Sequence, residues 1–414
     1  MVPTNRCRSC QSPLGAPFLS LGKMPLSNAL LREEDLHRME PTYPLEVFHC
    51  KRCHLVQLME FEQAQNIFTA AYPYYSSYSQ TWLDHCRRYT DMMVRRFHLG
   101  KSSFVVEVAS NDGYLLQYFK QKGIPVRGIE PASGTAKVAI SKGIPTDITF
   151  FDTKYARRMK RQGMLADLIV GNNVLAHNPC INDFVEGLSI GLKPGGVITM
   201  EFPHILKLMR LNQFDTIYHE HFSYFSLHSA MALFCSHRLE IFDVEQLPTH
   251  GGSLRIFARH AAGATEGRTP RVDRLLRKET EAGLTRDSTY RDFAHRVMRT
   301  KRSLLSILIR EKDRGRRIVG YGAPAKGNTL LNYCGIRTDI LDYTVDKSPY
   351  KQGMFLPGTH IPVFAPDRIF KDRPDLVLVL PWNIKEEIMQ QMAGIREWGG
   401  RFIIPIPRPV VVRP

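Results

Sequence analysis

The chain has 414 residues, 43% of them hydrophobic, and a net charge of +16. At roughly 100–200 residues per domain that length fits two or three domains, and no run of ~18 apolar residues is present to make a membrane-spanning helix. The basic excess is dispersed among acids; even the densest run, Lys312 to Arg317, contains Asp313. Without an RNP, KH or helix-turn-helix signature, it suits a small anionic ligand better than a nucleic acid.

The N-terminus MVPTNRCRSCQSP lacks an apolar signal core, so the cytoplasm is the expected location. Cys7/Cys10 and Cys50/Cys53 form two CxxC pairs. Each pair can offer two thiolates, and together they complete a tetrahedral zinc site with no open position, which makes the zinc structural. A redox motif or two unrelated turns are the competing readings, but redox CxxC motifs usually occur singly. Cys86, Cys180, Cys235 and Cys334 are scattered and read as core thiols. The zinc module carries an insert, Leu14 to Phe48.

The segment YPYYSSYS from Tyr72 to Ser79, with Tyr72, Tyr75 and Tyr78, reads as a hydrogen-bonding lid or a polar linker. Trp82, Cys86, Tyr89 and Met93 then share one helix face. Phe104 to Val108 is a short buried strand that runs into Ala109-Ser110-Asn111-Asp112-Gly113 and a helix. This is the first βα unit of a doubly wound sheet, whose turn aims backbone N–H groups at a ligand. It lacks the dinucleotide pattern. It fits the Glu-x-Gly-x-Gly-x-Gly loop for S-adenosylmethionine, with Glu107 leading, Ala109 and Asn111 in two glycine positions, and Asp112 and Gly113 following.

Val126 to Ile129 is a second strand; Glu130 at its end suits the ribose hydroxyls of the donor. Ile144 to Phe151 is read as a third strand and Ala166 to Val170 as a fourth. Asn173 and His177 follow the fourth, where ligands bind in open α/β sheets. Lys193 to Gly196 reads as a turn before strand Val197 to Phe202, and Glu201 ends that strand. Tyr218-His219-Glu220-His221 and Tyr224 then crowd two histidines, a carboxylate and two phenols together. The histidines are two apart, not the four that a helical zinc protease needs. The cluster reads either as a base poised near neutral pH or as a turn of satisfied histidines.

Ile241 to Val244 and Ser253 to Ala258 read as paired strands, and helices from about Arg271 to Arg310 follow. A second α/β region starts at Arg316. Its strand Arg317–Val319, the turn GYGAPAKGN with Lys326 and Asn328, and helix Thr329 to Tyr333 look phosphate-binding or a plain tight turn. Asp342 to Asp346, Leu376 to Leu380 and Phe402 to Ile404 are its remaining strands.

The motifs CRSC with CKRC, VVEVASNDGYLLQYF, GIEP, GNNVLAHNP, LKPGG, FDTIYHEHFSYFS, HGGSLRIFARH and GYGAPAKGNTLLNY, with VDKSPYKQG and PGTHIP beyond, resemble the C-methyltransferases of nucleotide-4-keto-deoxysugar biosynthesis. The resemblance implies an α/β chain in three parts. These are a zinc-binding domain at 1–65, a Rossmann-like S-adenosylmethionine methyltransferase domain at 66–246, and a second Rossmann-like domain with a helical linker at 247–414. It implies S-adenosylmethionine and structural zinc as cofactors. The implied substrate is a nucleotide-diphosphate 4-keto-sugar, thymidine favoured over guanosine, methylated at C3 or alternatively C5. His221 becomes the general base, Glu220 its neighbouring carboxylate, Tyr218 a hydrogen-bonding partner and His177 a second imidazole. Tyr72, Tyr75, Tyr78, Tyr224, Lys326 and Asn328 become substrate contacts. The expected partners include no nucleic acid and no membrane, and the expected state is a monomer. Asn178-Pro179-Cys180 departs from the family's apolar-Pro-Asp beside His177. An O- or N-methyltransferase and an RNA-binding methyltransferase are the rival functions.

Overall fold

A computed structural model describes residues 5–63, 75–263 and 267–413. The chain divides into two compact units. One holds Met1–Gly15, Cys50–His204 and Phe222–Thr285; the other holds Ala16–His49, Ile205–His221 and Arg286–Pro414.

The first unit is built on a seven-stranded sheet. Its order is Leu239–Leu247, Ser253–His260, Leu192–Pro203, Ala166–Asn172, Val105–Val108, Val126–Ile129, Thr146–Asp147. The five strands from Leu192–Pro203 to Thr146–Asp147 run parallel, whereas Ser253–His260 is antiparallel to both its neighbours. Val105–Val108 lies near the centre and is buried at every position, as a β-branched strand covered on both faces should be. Helix Gln80–Arg96 covers one face. Ser79 caps it by accepting the Trp82 N–H, and Trp82, Cys86, Tyr89 and Met93 turn inward as their spacing predicts. They pack on Leu116, Phe119, Phe242 and Phe257. Each fully buried large side chain there is worth about 1.5–3 kcal/mol.

Two elements differ from expectation. The strand expected over Ile144 to Phe151 is only Thr146–Asp147. The Thr149 N–H turns back to the Asp147 carbonyl, Ile148 and Phe150 face outward, and Asp152 already caps the next helix. The turn at Lys193 to Gly196 is absorbed into strand Leu192–Pro203 as an irregularity, with Gly195 at φ 79°. The basic helical stretch is, as expected, more than one helix: Pro270–Glu281 and Asp287–Asp313, parted near Gly283 at φ 78°.

The second unit carries a six-stranded sheet in the order Val363–Phe364, Thr344–Val345, Ile318–Tyr321, Leu376–Val379, Arg401–Ile404, Val410–Val412. All pairs are parallel except the last. The helix after the glycine turn is Ala325–Cys334, longer than expected at both ends and closed by Gly335 in the left-handed region. The antiparallel hairpin Leu19–Met24 with Tyr43–His49 also groups with this unit.

Candidate active site

The four cysteines of the two CxxC pairs converge in the first unit, all sulfurs within 4.8 Å of one another. Their backbones repeat one turn. Cys7 accepts the Gln11 N–H and donates to Ser12; Cys50 accepts the His54 N–H and donates to Leu55. Gln11 and His54 both take positive φ, 60° and 58°. The closest sulfur pairs, Cys7–Cys53 at 3.4 Å and Cys10–Cys50 at 3.5 Å, approach the roughly 3.8 Å edge of a tetrahedron with 2.3 Å zinc–sulfur bonds. Four thiols in two matched knuckles therefore fit zinc and leave no open coordination position. Arg8, between the first two cysteines, reaches the Leu58 carbonyl at 2.5 Å and the Pro179 carbonyl at 3.1 Å; Asn182 in turn donates to the Arg8 carbonyl at 2.7 Å. The zinc knuckle thus braces helix Ile181–Gly191 and the turn holding His177.

The donor loop follows strand Val105–Val108. Ala109, Asn111 and Gly113 take φ of 58°, 48° and 76°, the left-handed region that glycine occupies freely and other residues rarely enter. Alternating left-handed residues make a concave nest of amides. Under the loop the sheet approaches so closely that a Cβ on Gly128 would lie 2.4 Å from the Ser110 Oγ. Glu130 accepts the Asn111 N–H at 2.9 Å and the Ala132 N–H at 2.8 Å. Burial raises its pKa. Burial also pushes the Glu107 carboxyl well above its ordinary value; Tyr114 opposes this and the Asp112 and Glu130 carboxylates add to it. Asp112 Oδ1 is buried and, among the described residues, has no hydrogen-bond partner. A nest of amides ringed by carboxyl groups suits S-adenosylmethionine, which carries a sulfonium and an ammonium; Glu107, Ala109, Asn111, Asp112, Gly113 and Glu130 would hold it.

The tyrosine segment is tied to this loop. The Ser76 N–H donates to Asn111 Oδ1 at 3.0 Å, and Ser77 Oγ bonds Asp112 Oδ2. Tyr75 and Tyr78 stack with centroids 5.4 Å apart, and Tyr78 is 66% exposed. Tyr72 lies outside the described residues. On the neighbouring strand end, Asn173 sits at φ 56° and donates its N–H to the Glu201 carbonyl at 2.7 Å. His177 closes a 3-10 turn, Leu175–His177, half-buried. Tyr224 is buried in a two-residue strand paired with Val56.

Tyr218, His219, Glu220 and His221 belong to the second unit. His221 Nδ1 lies 3.0 Å from the Thr216 carbonyl oxygen. A carbonyl only accepts, so Nδ1 carries the proton and Nε2 presents its lone pair. Tyr218 Oη, 2.9 Å from Nε2, donates to that lone pair. The two histidines divide their work: His219 Nε2 donates to the Pro44 carbonyl at 3.2 Å, its ring lies edge-on to Tyr43, and burial lowers its pKa. Glu220 accepts from Asn28 Nδ2 at 2.6 Å. Asn328 donates to the Ser27 carbonyl at 2.5 Å. Lys326 donates to Asn383 Oδ1 at 2.7 Å, with its Nζ 4.8 Å from the Trp382 ring centre. Burial lowers its pKa, while neighbouring Asp215 is pushed by burial up to about 6.

Sequence reading missed the Ser76 and Ser77 ties, the Thr216 carbonyl that fixes the imidazole, and a buried network on Glu201. That carboxylate accepts from His85 at 3.0 Å, Arg255 at 2.7 Å and Thr249 at 2.7 Å. Against the cost of burial, the His85 hydrogen bond and the Arg255 charge hold its pKa at about 2.

The fold and loop define an S-adenosylmethionine-dependent methyltransferase, and the sequence matches agree. Residues 7–68 match a zinc binding domain, 83–237 a methyltransferase domain and 248–407 a C-methyltransferase C-terminal domain. The C-methyltransferase NovU of Streptomyces niveus is 37% identical over 410 residues, covering 99% of this chain and 97% of its own. Solved structures with partial likeness include a methyltransferase from Anabaena variabilis (13% identity, TM-score 0.35, covering 42% of this chain and 83% of its own). Another is magnesium protoporphyrin IX methyltransferase from Synechocystis with bound S-adenosylmethionine (14%, TM-score 0.32, covering 43% and 80%). The chain belongs to the C-methyltransferase family that includes NovU.

Proposed function

We propose that this C-methyltransferase methylates a nucleotide-diphosphate 4-keto-deoxysugar at the carbon beside the ketone, C3 ahead of C5, with thymidine diphosphate the favoured carrier. The observation that carries the reading is the fixed imidazole of His221, whose Nδ1–H is held by Thr216 and whose Nε2 lone pair faces a phenol. Carbon is a poor nucleophile until it loses a proton, and a neighbouring ketone makes that proton removable by delocalising charge onto oxygen. His221 Nε2 takes the proton, a step worth about 10²–10⁴ in rate for a positioned base. Tyr218, displaced from Nε2, donates its phenolic proton towards the enolate oxygen, and His177 is the second donor assigned there. Losing one such donor costs about 10²–10³. S-adenosylmethionine supplies the electrophilic methyl group when bound. Glu220, the carboxylate beside His221, accepts from Asn28. Tyr72, Tyr75, Tyr78 and Tyr224 are assigned to the sugar, Lys326 and Asn328 to the diphosphate. The domain roles remain zinc binding at 1–65, donor binding at 66–246 and nucleotide holding at 247–414. The protein acts as a cytoplasmic monomer; no helix among the described residues is long and apolar enough to cross a membrane.

The test feeds 4-keto and 4-hydroxy nucleotide sugars with a labelled methyl donor. Mass spectrometry should find the methyl on carbon, with the keto sugar only. His221→Ala should lose that product while keeping donor affinity. Wild-type turnover in that variant, or an O-methyl product from the 4-hydroxy sugar, refutes the proposal.

A further inference from the structure

The first unit contains a cavity of about 640 Å³ walled by helix Gln80–Arg96, the ends of strands Leu239–Leu247 and Ser253–His260, and helix Pro270–Glu281. It lies outside the donor loop, and none of its lining residues is assigned above to donor or sugar. Its size is that of a small-molecule site.

Two features set its chemistry. Its charges do not balance. Arg255 is matched by Glu201 and Glu245, and Arg271 by Asp243. Arg88 and Arg274 form no ion pair among the described residues, and Lys278 reaches only the neutral amide of Gln246, at 3.1 Å. Arg274 and Lys278, together with Arg88 whose charge Asp84 only partly offsets, therefore face one hollow from two helices. Arg255 also lines the cavity. Arg255 is 3% exposed; its terminal nitrogens donate to Glu245 and Glu201, and its Nε–H is buried with no partner among the described residues. A buried N–H left unmade costs about 1–3 kcal/mol, so the Arg255 guanidinium is held in place mainly by its two carboxylates. Tyr89, Met92, Val244, Leu247 and Leu275 supply an apolar wall.

We infer that this cavity is a second ligand site, for an organic phosphate whose phosphoryl oxygens meet Arg88, Arg274 and Lys278 while its organic body covers the apolar wall. A nucleoside phosphate has that size and polarity. The site is joined to the donor loop's surroundings through Glu201. That residue's carboxylate holds Arg255, and its carbonyl receives the Asn173 N–H.

The test uses the full-length chain saturated with S-adenosylhomocysteine, with thymidine 5′-diphosphate and inorganic pyrophosphate as separate probes. Hydrogen exchange read by mass spectrometry follows residues 244–247 and 270–281 separately from the segment around Lys326. Thymidine diphosphate should slow exchange in both segments, and Arg274→Glu with Lys278→Glu should weaken that protection at least tenfold in probe concentration. Should the charge reversal disturb folding, Arg274→Gln with Lys278→Gln should still weaken it several-fold. Lys326→Ala should leave it intact. No protection of these segments in the wild type, or equal protection in the charge-reversed chain, overturns the site. Protection by pyrophosphate at the same concentration as the nucleotide overturns the role of the apolar wall. Failure of sugar methylation alone bears on neither segment.

Discussion

Replacing Glu279 with Gln should destabilise the first unit by about 3 kcal/mol. The carboxylate is fully buried on helix Pro270–Glu281. Its Oε1 accepts from His204 Nε2 and the Leu227 N–H, each at 2.7 Å; its Oε2 accepts from His228 Nδ1 at 2.7 Å and the His228 N–H at 3.2 Å. A glutamine has one acceptor oxygen and one NH₂ group. Whichever way it turns, one pair of donors loses its acceptor and faces another donor. Two hydrogen bonds to a charged group are worth about 1.5–3 kcal/mol each, part of which the amide oxygen keeps. The titration gives a similar figure. Burial works against the charge, but the His204 and His228 hydrogen bonds prevail and bring the pKa from 4.5 to about 2, which corresponds to about 3 kcal/mol. The sign follows: a depressed carboxyl stabilises above its unfolded pKa, near 4.5, and that stability is lost as pH falls from there towards about 2. The assay is urea unfolding of both chains from pH 7 to pH 3, with hydrogen exchange at Leu227 and His228 as the local probe. The gap between them should be full at pH 7 and narrow below pH 4.5. A difference within about 0.5 kcal/mol at pH 7, the size of an ordinary surface change, would refute the reasoning.

Gly128→Ala should cost about 1–3 kcal/mol through overpacking, because the new Cβ meets Ser110 and Thr146 at 2.4 and 2.9 Å. Calorimetry should also find weaker donor binding, with part recovered by Ser110→Ala. Asn111→Gly keeps the positive φ but releases Ser76, so exchange at residues 75–79 should rise and donor affinity fall about fivefold, the value of one net hydrogen bond. Cys10→Ser, or stripping by a strong chelator, should remove one bound zinc per chain and loosen Ile181–Gly191, read by metal analysis and exchange together. Unchanged exchange after zinc loss would contradict the bracing role of Arg8 and Asn182.

What could be read from sequence was local. Strand Val105–Val108, its turn and its helix are contiguous, so the donor loop was visible even with Ala109 and Asn111 standing where glycine is usual. The CxxC pairs carry their ligands at fixed spacing. The partners that complete these sites lie far apart in the chain. Glu201 is held by Arg255 and His85, 54 and 116 residues away, and no periodicity links such positions. The expected strand Ile144 to Phe151 had enough apolar residues, but Ile148 and Phe150 face outward once the chain turns at Asp147. Hydrophobic content alone does not show which face a short segment buries. The insert between the cysteine pairs offered no signal that its hairpin groups with the second unit.

The proposed reaction begins with His221 removing a proton from carbon. Incubating the protein with a nucleotide 4-keto-sugar in deuterium oxide, without a methyl donor, isolates that step. The wild type should wash deuterium into the position beside the ketone, and His221→Ala should slow this by about 10²–10⁴. Equal exchange in the two proteins would contradict the account.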